Sequence, residues 1–119
     1  MDETWELDLG ATMIGTNQVR FNVWAPFAQQ VAVEFVGQDR TAIPMQPASQ
    51  GYFEAIVDDV DPLTRYRYLL DGQKARPDPA SRFQPDGVHG PSAVVDSDSF
   101  RWNDGAWRGI PLKDFIIYE

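Results

Sequence analysis

Hydrophobic and polar residues alternate along much of the chain with a period of two. In the run from Val19 to Ala25, residues Val19, Phe21, Val23 and Ala25 fall on one side, and Arg20, Asn22 and Trp24 on the other. Val31, Val33 and Phe35 repeat the pattern between Val31 and Val36. Gly51 to Val57 and Arg65 to Asp71 are two further runs of this kind, and Ser92 to Val95 is a short fifth. Successive side chains on a strand point to opposite faces, so each run predicts a half-buried strand. Turn-forming segments separate the runs: APFAQQ, VGQD and DVDPLT, then LDGQ at Leu70 to Gln73. Asp-Gly tolerates the positive φ of a type I′ turn, so LDGQ predicts a tight hairpin. No stretch keeps a helical period. Short alternating strands with turn signals between them predict an all-β, immunoglobulin-like (E-set) β-sandwich. Residues 1 to about 10 form a loosely tied lead-in.

Two segments do not fit that scheme. RPDPASRFQPDGVHGPS, from Arg76 to Ser92, is too long for a plain turn and too rich in Phe, Val and Arg for a disordered linker. DFIIYE, from Asp114 to Glu119, is an apolar, strand-like run where the sequence stops. It reads either as a last strand of the sandwich or as the first strand of a domain that lies beyond it. FRWNDGAWRG, from Phe100 to Gly109, is expected to wrap its aromatic side chains onto the sandwich as a clasp.

Length and charge narrow the function. A chain of 119 residues fits one domain with a sizeable core. The net charge of −8 disfavours nucleic acid and anionic membrane surfaces, which both require a basic face. No apolar run is long enough to span a bilayer, and no signal peptide opens the chain. The absence of cysteine excludes disulfides and fits a cytoplasmic setting. One histidine and no cysteine argue against a zinc site, and nothing implies a cofactor or other metal.

Candidate chemistry is sparse. The acidic clusters Asp58, Asp59, Asp61 and Asp96, Asp98 read as solvated turns rather than catalytic carboxylates. Ser92, His89 and Asp86 contain the residue types of a nucleophile triad, but triad members converge through the fold and not through sequence proximity. No phosphate-binding glycine loop is present. The aromatic residues carry more information, because flat rings cover the apolar faces of sugars. Trp24, opposite Val19, Phe21 and Val23, is expected to face outward as a platform for a ligand or a covering domain, unless a bulge near Pro26 turns it inward. Tyr52 and Tyr66 are the other candidate glycan contacts.

The segments VRFNVWAP, GYFEAIVDDVDPLTRYRYLLDG, RPDPASRFQPDGVHGPSAVVD, FRWNDGAWRG and IIYE together resemble the N-terminal region of the malto-oligosyltrehalose trehalohydrolase family, within glycoside hydrolase family 13. The resemblance covers roughly Gly10 to Glu119 and implies a domain similar to carbohydrate-binding module family 48. It implies an accessory domain over residues 1–109, and a linker with the start of a catalytic (β/α)-barrel over 110–119. Both catalytic carboxylates would then lie outside this sequence, leaving no catalytic residue within it. The whole enzyme would hydrolyse the α-1,4 bond next to the terminal trehalose of maltooligosyltrehalose. The alternatives are an independent α-glucan-binding module, or the equivalent domain of a glycogen branching or debranching enzyme. The best-known glycan-binding members carry tryptophans where this chain has Lys74 and the tryptophan-free VGQDRTAIP. The Arg76 to Ser92 loop is accordingly expected to dock on the barrel or border its cleft through Asp78, Arg82, Phe83, Gln84 and His89.

Overall fold

The computed structural model describes residues 8–119. Among the described residues nine strands, numbered in chain order, form two facing antiparallel sheets. One sheet has the order β1-β2-β6-β5, with β1 Gly10–Gly15, β2 Gln18–Trp24, β6 Tyr52–Asp58 and β5 Gln46–Pro47. The other has the order β4-β3-β7-β8, with β4 Ile43–Pro44, β3 Val31–Phe35, β7 Arg65–Leu70 and β8 Lys74–Arg76. The short β9 Ser92–Ala93 also pairs with β7. The chain switches sheets at Met45, which is buried and donates its N–H to the Val31 carbonyl at 2.9 Å.

The alternating positions make the core. Val19, Phe21 and Val23 of β2, Val31, Val33 and Phe35 of β3, and Phe53, Ala55 and Val57 of β6 all turn inward. Tyr66 and Tyr68 do the same on β7. Phe21 meets Phe35 and Tyr66 edge-on, with ring centroids 5.9 and 5.0 Å apart, which is the favoured geometry for aromatic pairs. The Leu70 to Gln73 hairpin has both Asp71 and Gly72 at positive φ, and the Gln73 N–H donates to the Leu70 carbonyl at 3.0 Å.

The structure adds one strand and sets aside two readings of the C-terminal segment. Where the loosely tied lead-in was expected to end, Gly10 begins β1, an edge strand that the glycines at its two ends and the near-unbroken apolar stretch between them kept from showing a period of two. The first seven residues lie outside the described region. The Phe100 to Gly109 segment makes no clasp, since Phe100, Trp102 and Trp107 are 64, 79 and 67% exposed. Within it Phe100 stands edge-on to Trp102, with ring centroids 5.0 Å apart. Asp114 to Glu119 is not a strand of the sandwich. It follows a single 3-10 turn at Leu112–Asp114 and leaves Ile116, Ile117 and Tyr118 open to solvent.

Candidate functional site: an anchored loop and an aromatic groove

The Arg76 to Ser92 loop is held from beneath by one carboxylate. Asp78 is only 3% exposed, because Tyr66 and Tyr68 point inward from β7 and meet it. The Tyr66 hydroxyl donates to Asp78 Oδ2 at 2.6 Å and the Tyr68 hydroxyl to the same atom at 3.3 Å. The Ala80 N–H donates to Asp78 Oδ1 at 2.9 Å, and the Asp78 N–H donates to Ser92 Oγ at 3.1 Å. Burial, and then the negative charge of Asp78, push both phenols far above the ordinary tyrosine range.

Arg82 is the second anchor. Its guanidinium donates across the open edge of β1 to the Ala11 carbonyl, to the Leu9 carbonyl at 3.1 Å and to Thr12 Oγ1 at 3.4 Å. Gln84 spends its amide inside the loop, donating to the Val88 carbonyl at 3.0 Å and the Gly90 carbonyl at 3.3 Å. Asp78, expected from the sequence at a docking face, is buried within the domain, and the half-buried Arg82 makes its bonds to the domain's own β1 edge. They fix the loop so that Phe83, Val88 and His89 project outward, with Phe83 45% and Val88 73% exposed.

The triad arrangement is absent. Ser92 is fully buried under Asp78, Asp86 pairs with Arg65 at 3.0 Å, and His89 is exposed. Among the described residues no three His, Cys, Asp or Glu side chains converge on a point that could hold a metal. The Asp58–Asp59 corner is tied instead by Arg40, which donates to both backbone carbonyls at 2.9 and 3.1 Å.

The platform candidates separate. Tyr66 is 1% exposed and packed between Phe21 and Tyr68, so no ligand can reach its face. Trp24 faces outward at 58% exposure, directly across from the half-buried Tyr52. No bulge intervenes. The indole is fixed at its edge, with Nε1–H donating to the Gln50 carbonyl at 3.0 Å. The corner beneath it is tight: the Ala25 N–H donates to the Gly51 carbonyl at 2.9 Å, and Gln50 and Gly51 both sit at positive φ. A Cβ on Gly51 would lie 2.9 Å from Pro26, so only glycine fits.

Sequence reading missed what completes this surface. Ala25 to Ala28 closes a turn through the Ala28 N–H and the Ala25 carbonyl at 3.1 Å, and Phe27 stands at its tip, 98% exposed. The APFAQQ segment reads as a plain break between strands, and its phenylalanine was the only signal. An open groove of about 610 Å³ is lined by Trp24 and Phe27, by Lys74 and Arg76 of β8, and by Pro77 and Pro79.

Comparison with known proteins places this architecture. The family model for carbohydrate-binding module 48, described as the isoamylase N-terminal domain, matches residues 8–86. The chain belongs to carbohydrate-binding module family 48. The family 48 domain is 40% identical over 101 residues to a malto-oligosyltrehalose trehalohydrolase of Saccharolobus solfataricus, covering 85% of this chain and 18% of that protein. A malto-oligosyltrehalose trehalohydrolase of Deinococcus radiodurans is 42% identical, with 93 and 18% covered. A 1,4-alpha-glucan branching enzyme of Xanthomonas campestris is 35% identical, with 84 and 15% covered. A solved Salmonella typhimurium chain described as an alpha amylase superposes with a TM-score of 0.80 at 36% identity, covering 90% of this chain and 18% of its own. The family 48 domain thus spans less than a fifth of the length of these relatives.

Proposed function

We propose that this chain is the non-catalytic N-terminal domain of a malto-oligosyltrehalose trehalohydrolase, packing through the Phe83–Val88–His89 face against a catalytic (β/α)-barrel of the same polypeptide. Residues 1–109 form the accessory domain, and 110–119 lead into the barrel. The whole enzyme hydrolyses the α-1,4 bond beside the terminal trehalose of maltooligosyltrehalose. The names and coverage of the trehalohydrolase relatives support the activity. The docking role rests on one observation: Asp78, Arg82 and Gln84 are committed within the domain, yet they hold apolar Phe83 and Val88 rigidly in solvent. An immobilised apolar surface loses little entropy when it is covered.

Two measurements test this. In the full-length polypeptide, Phe83→Ser with Val88→Ser should lower the melting temperature by several degrees, about what 1–2 kcal/mol of lost apolar burial gives. The 119-residue chain carrying the same changes should lose clearly less, since Val88 is 73% and Phe83 45% exposed there. An unchanged full-length protein overturns the docking role. Release of trehalose from maltooligosyltrehalose, without new branch points in amylose, separates the trehalohydrolase from the branching-enzyme alternative, which the 35% identical relative keeps in view.

A further inference from the structure

We propose that the Asp104–Gly105 bond is a modification site. The aspartate rearranges there to isoaspartate, whose α-carboxylate then serves as methyl acceptor for an isoaspartyl methyltransferase that uses S-adenosylmethionine. The chain holds three Asp-Gly pairs, at Asp71–Gly72, Asp86–Gly87 and Asp104–Gly105. The local chemistry is the same in all three, since a following glycine has no side chain to shield its nitrogen and little resistance to rotation. The surroundings differ.

Asp71 is held in its hairpin by three bonds. Its Oδ1 accepts from the Gln29 and Gln30 N–H groups at 2.8 and 2.9 Å, and its own N–H donates to the Gln30 carbonyl at 2.8 Å. Asp86 pairs with Arg65 at 3.0 Å, and the Gly87 N–H, the group that would attack, already donates to the Gln84 carbonyl at 3.1 Å. At the third pair both reacting groups are free: among the described residues the Asp104 carboxylate has no hydrogen-bond or charge partner, and the Gly105 N–H has no acceptor. Both residues are exposed, and nothing stands within 4 Å of where a Gly105 Cβ would lie. The one bond nearby, from the Trp107 N–H to the Asp104 carbonyl at 2.9 Å, occupies neither group.

The reaction needs only water. The Gly105 nitrogen attacks Cγ of the protonated Asp104 carboxyl group. The N–Cγ bond forms, the Cγ–OH bond breaks, and the hydroxyl leaves as water with the proton of the nitrogen. The resulting succinimide takes up water again. Addition at Cγ restores aspartate, and addition at the α-carbonyl leaves the main chain running through Cβ and Cγ. No atom or electron is gained or lost overall. The main chain becomes one atom longer inside the turn that Trp107 closes, so the segment beyond it leaves in a new direction.

The test is incubation of the 119-residue chain in mildly acidic buffer at physiological temperature for several weeks. The chain is then digested, and each peptide is assayed for methyl acceptance with isoaspartyl methyltransferase and radiolabelled S-adenosylmethionine. The Asp104 peptide should exceed the Asp71 and Asp86 peptides by about tenfold or more, because the bonds that hold those two must open first. In guanidinium chloride the three pairs should react alike. Asp104→Glu, at an exposed position where ring closure would need a larger ring, should remove the label. An unlabelled Asp104 peptide overturns the site, as does label that survives in Asp104→Glu, which would belong to Asn103. Equal label at all three pairs in the folded chain, or a preference for Asp104 that persists in guanidinium chloride, overturns the selection by the fold.

Discussion

At the scale of single residues, Asp78 governs the most. It satisfies two buried phenols and one backbone N–H at once, and its own N–H reaches Ser92. Tyr66 and Tyr68 hold their protons in the native state well above the pH at which an unfolded chain releases them. Stability is therefore complete below about pH 10 and declines as pH rises beyond it, by about 1.4 kcal/mol per pH unit for each tyrosine. Urea unfolding between about pH 9 and 11.5 should show this slope, and Tyr66→Phe should remove about half of it. An unchanged slope in the variant would mean that Tyr66 does not carry the linkage. The inward position of Tyr66 was legible from its alternation with Arg65 and Arg67. That same parity ruled out a platform role. The partnership with Asp78 was not legible, because no local pattern shows that an acidic residue twelve positions away folds back beneath the ring.

Among elements, the five alternating runs were readable to within a residue or two, because each has a core face that the sequence spells out. The short strands β4, β5 and β8 have two or three residues each, too few to show a period. Strand β1 was missed because its sequence GATMIG, glycine at both ends, shows no alternation; its ladder to β2 and the Arg82 fork hold it instead. Two elements invite measurement. Gly51→Ala, at φ +85° and 2.9 Å from Pro26, should cost about 2 kcal/mol and displace the Trp24 indole resonance. Arg82→Lys keeps the charge but loses the planar fork across Leu9 and Ala11. Amide exchange along β1 should then rise about tenfold or more, while β3 and β7 keep their protection. Equal loosening of all strands would show that Arg82 serves the whole sandwich and not its edge.

For the whole molecule, the sandwich and the segment from residue 100 onward are energetically separate. Every residue from 100 to 119 is exposed. Removing residues 100–119 should leave the melting temperature within about 2 °C, equivalent to a few tenths of a kcal/mol in a domain of this size. A larger fall would reveal a role for the tail in holding the sandwich together. The aromatic richness of that segment suggested packing when read as sequence. Hydrophobicity alone does not say whether a ring is buried in its own domain or left for another surface. The family was legible because its strand runs and its proline-rich loop are both long and particular in composition. The groove was not, since its two walls come from turns that lie more than forty residues apart.

The Arg82 fork also bears on the order in which the molecule can be completed. Its acceptors lie seventy-one and seventy-three residues upstream. While the polypeptide is being synthesised, β1 leaves the ribosome early and waits with bare carbonyls until Arg82 emerges. At about 5–20 residues per second, that interval lasts several seconds. During it the nascent chain has an unsealed margin open to pairing with neighbouring chains on the same message. The guanidinium that closes the margin is a late fastener of assembly, followed only by Ser92 and Ala93 of β9 and the core residue Val94, and crowded translation is the setting in which its loss would be felt most.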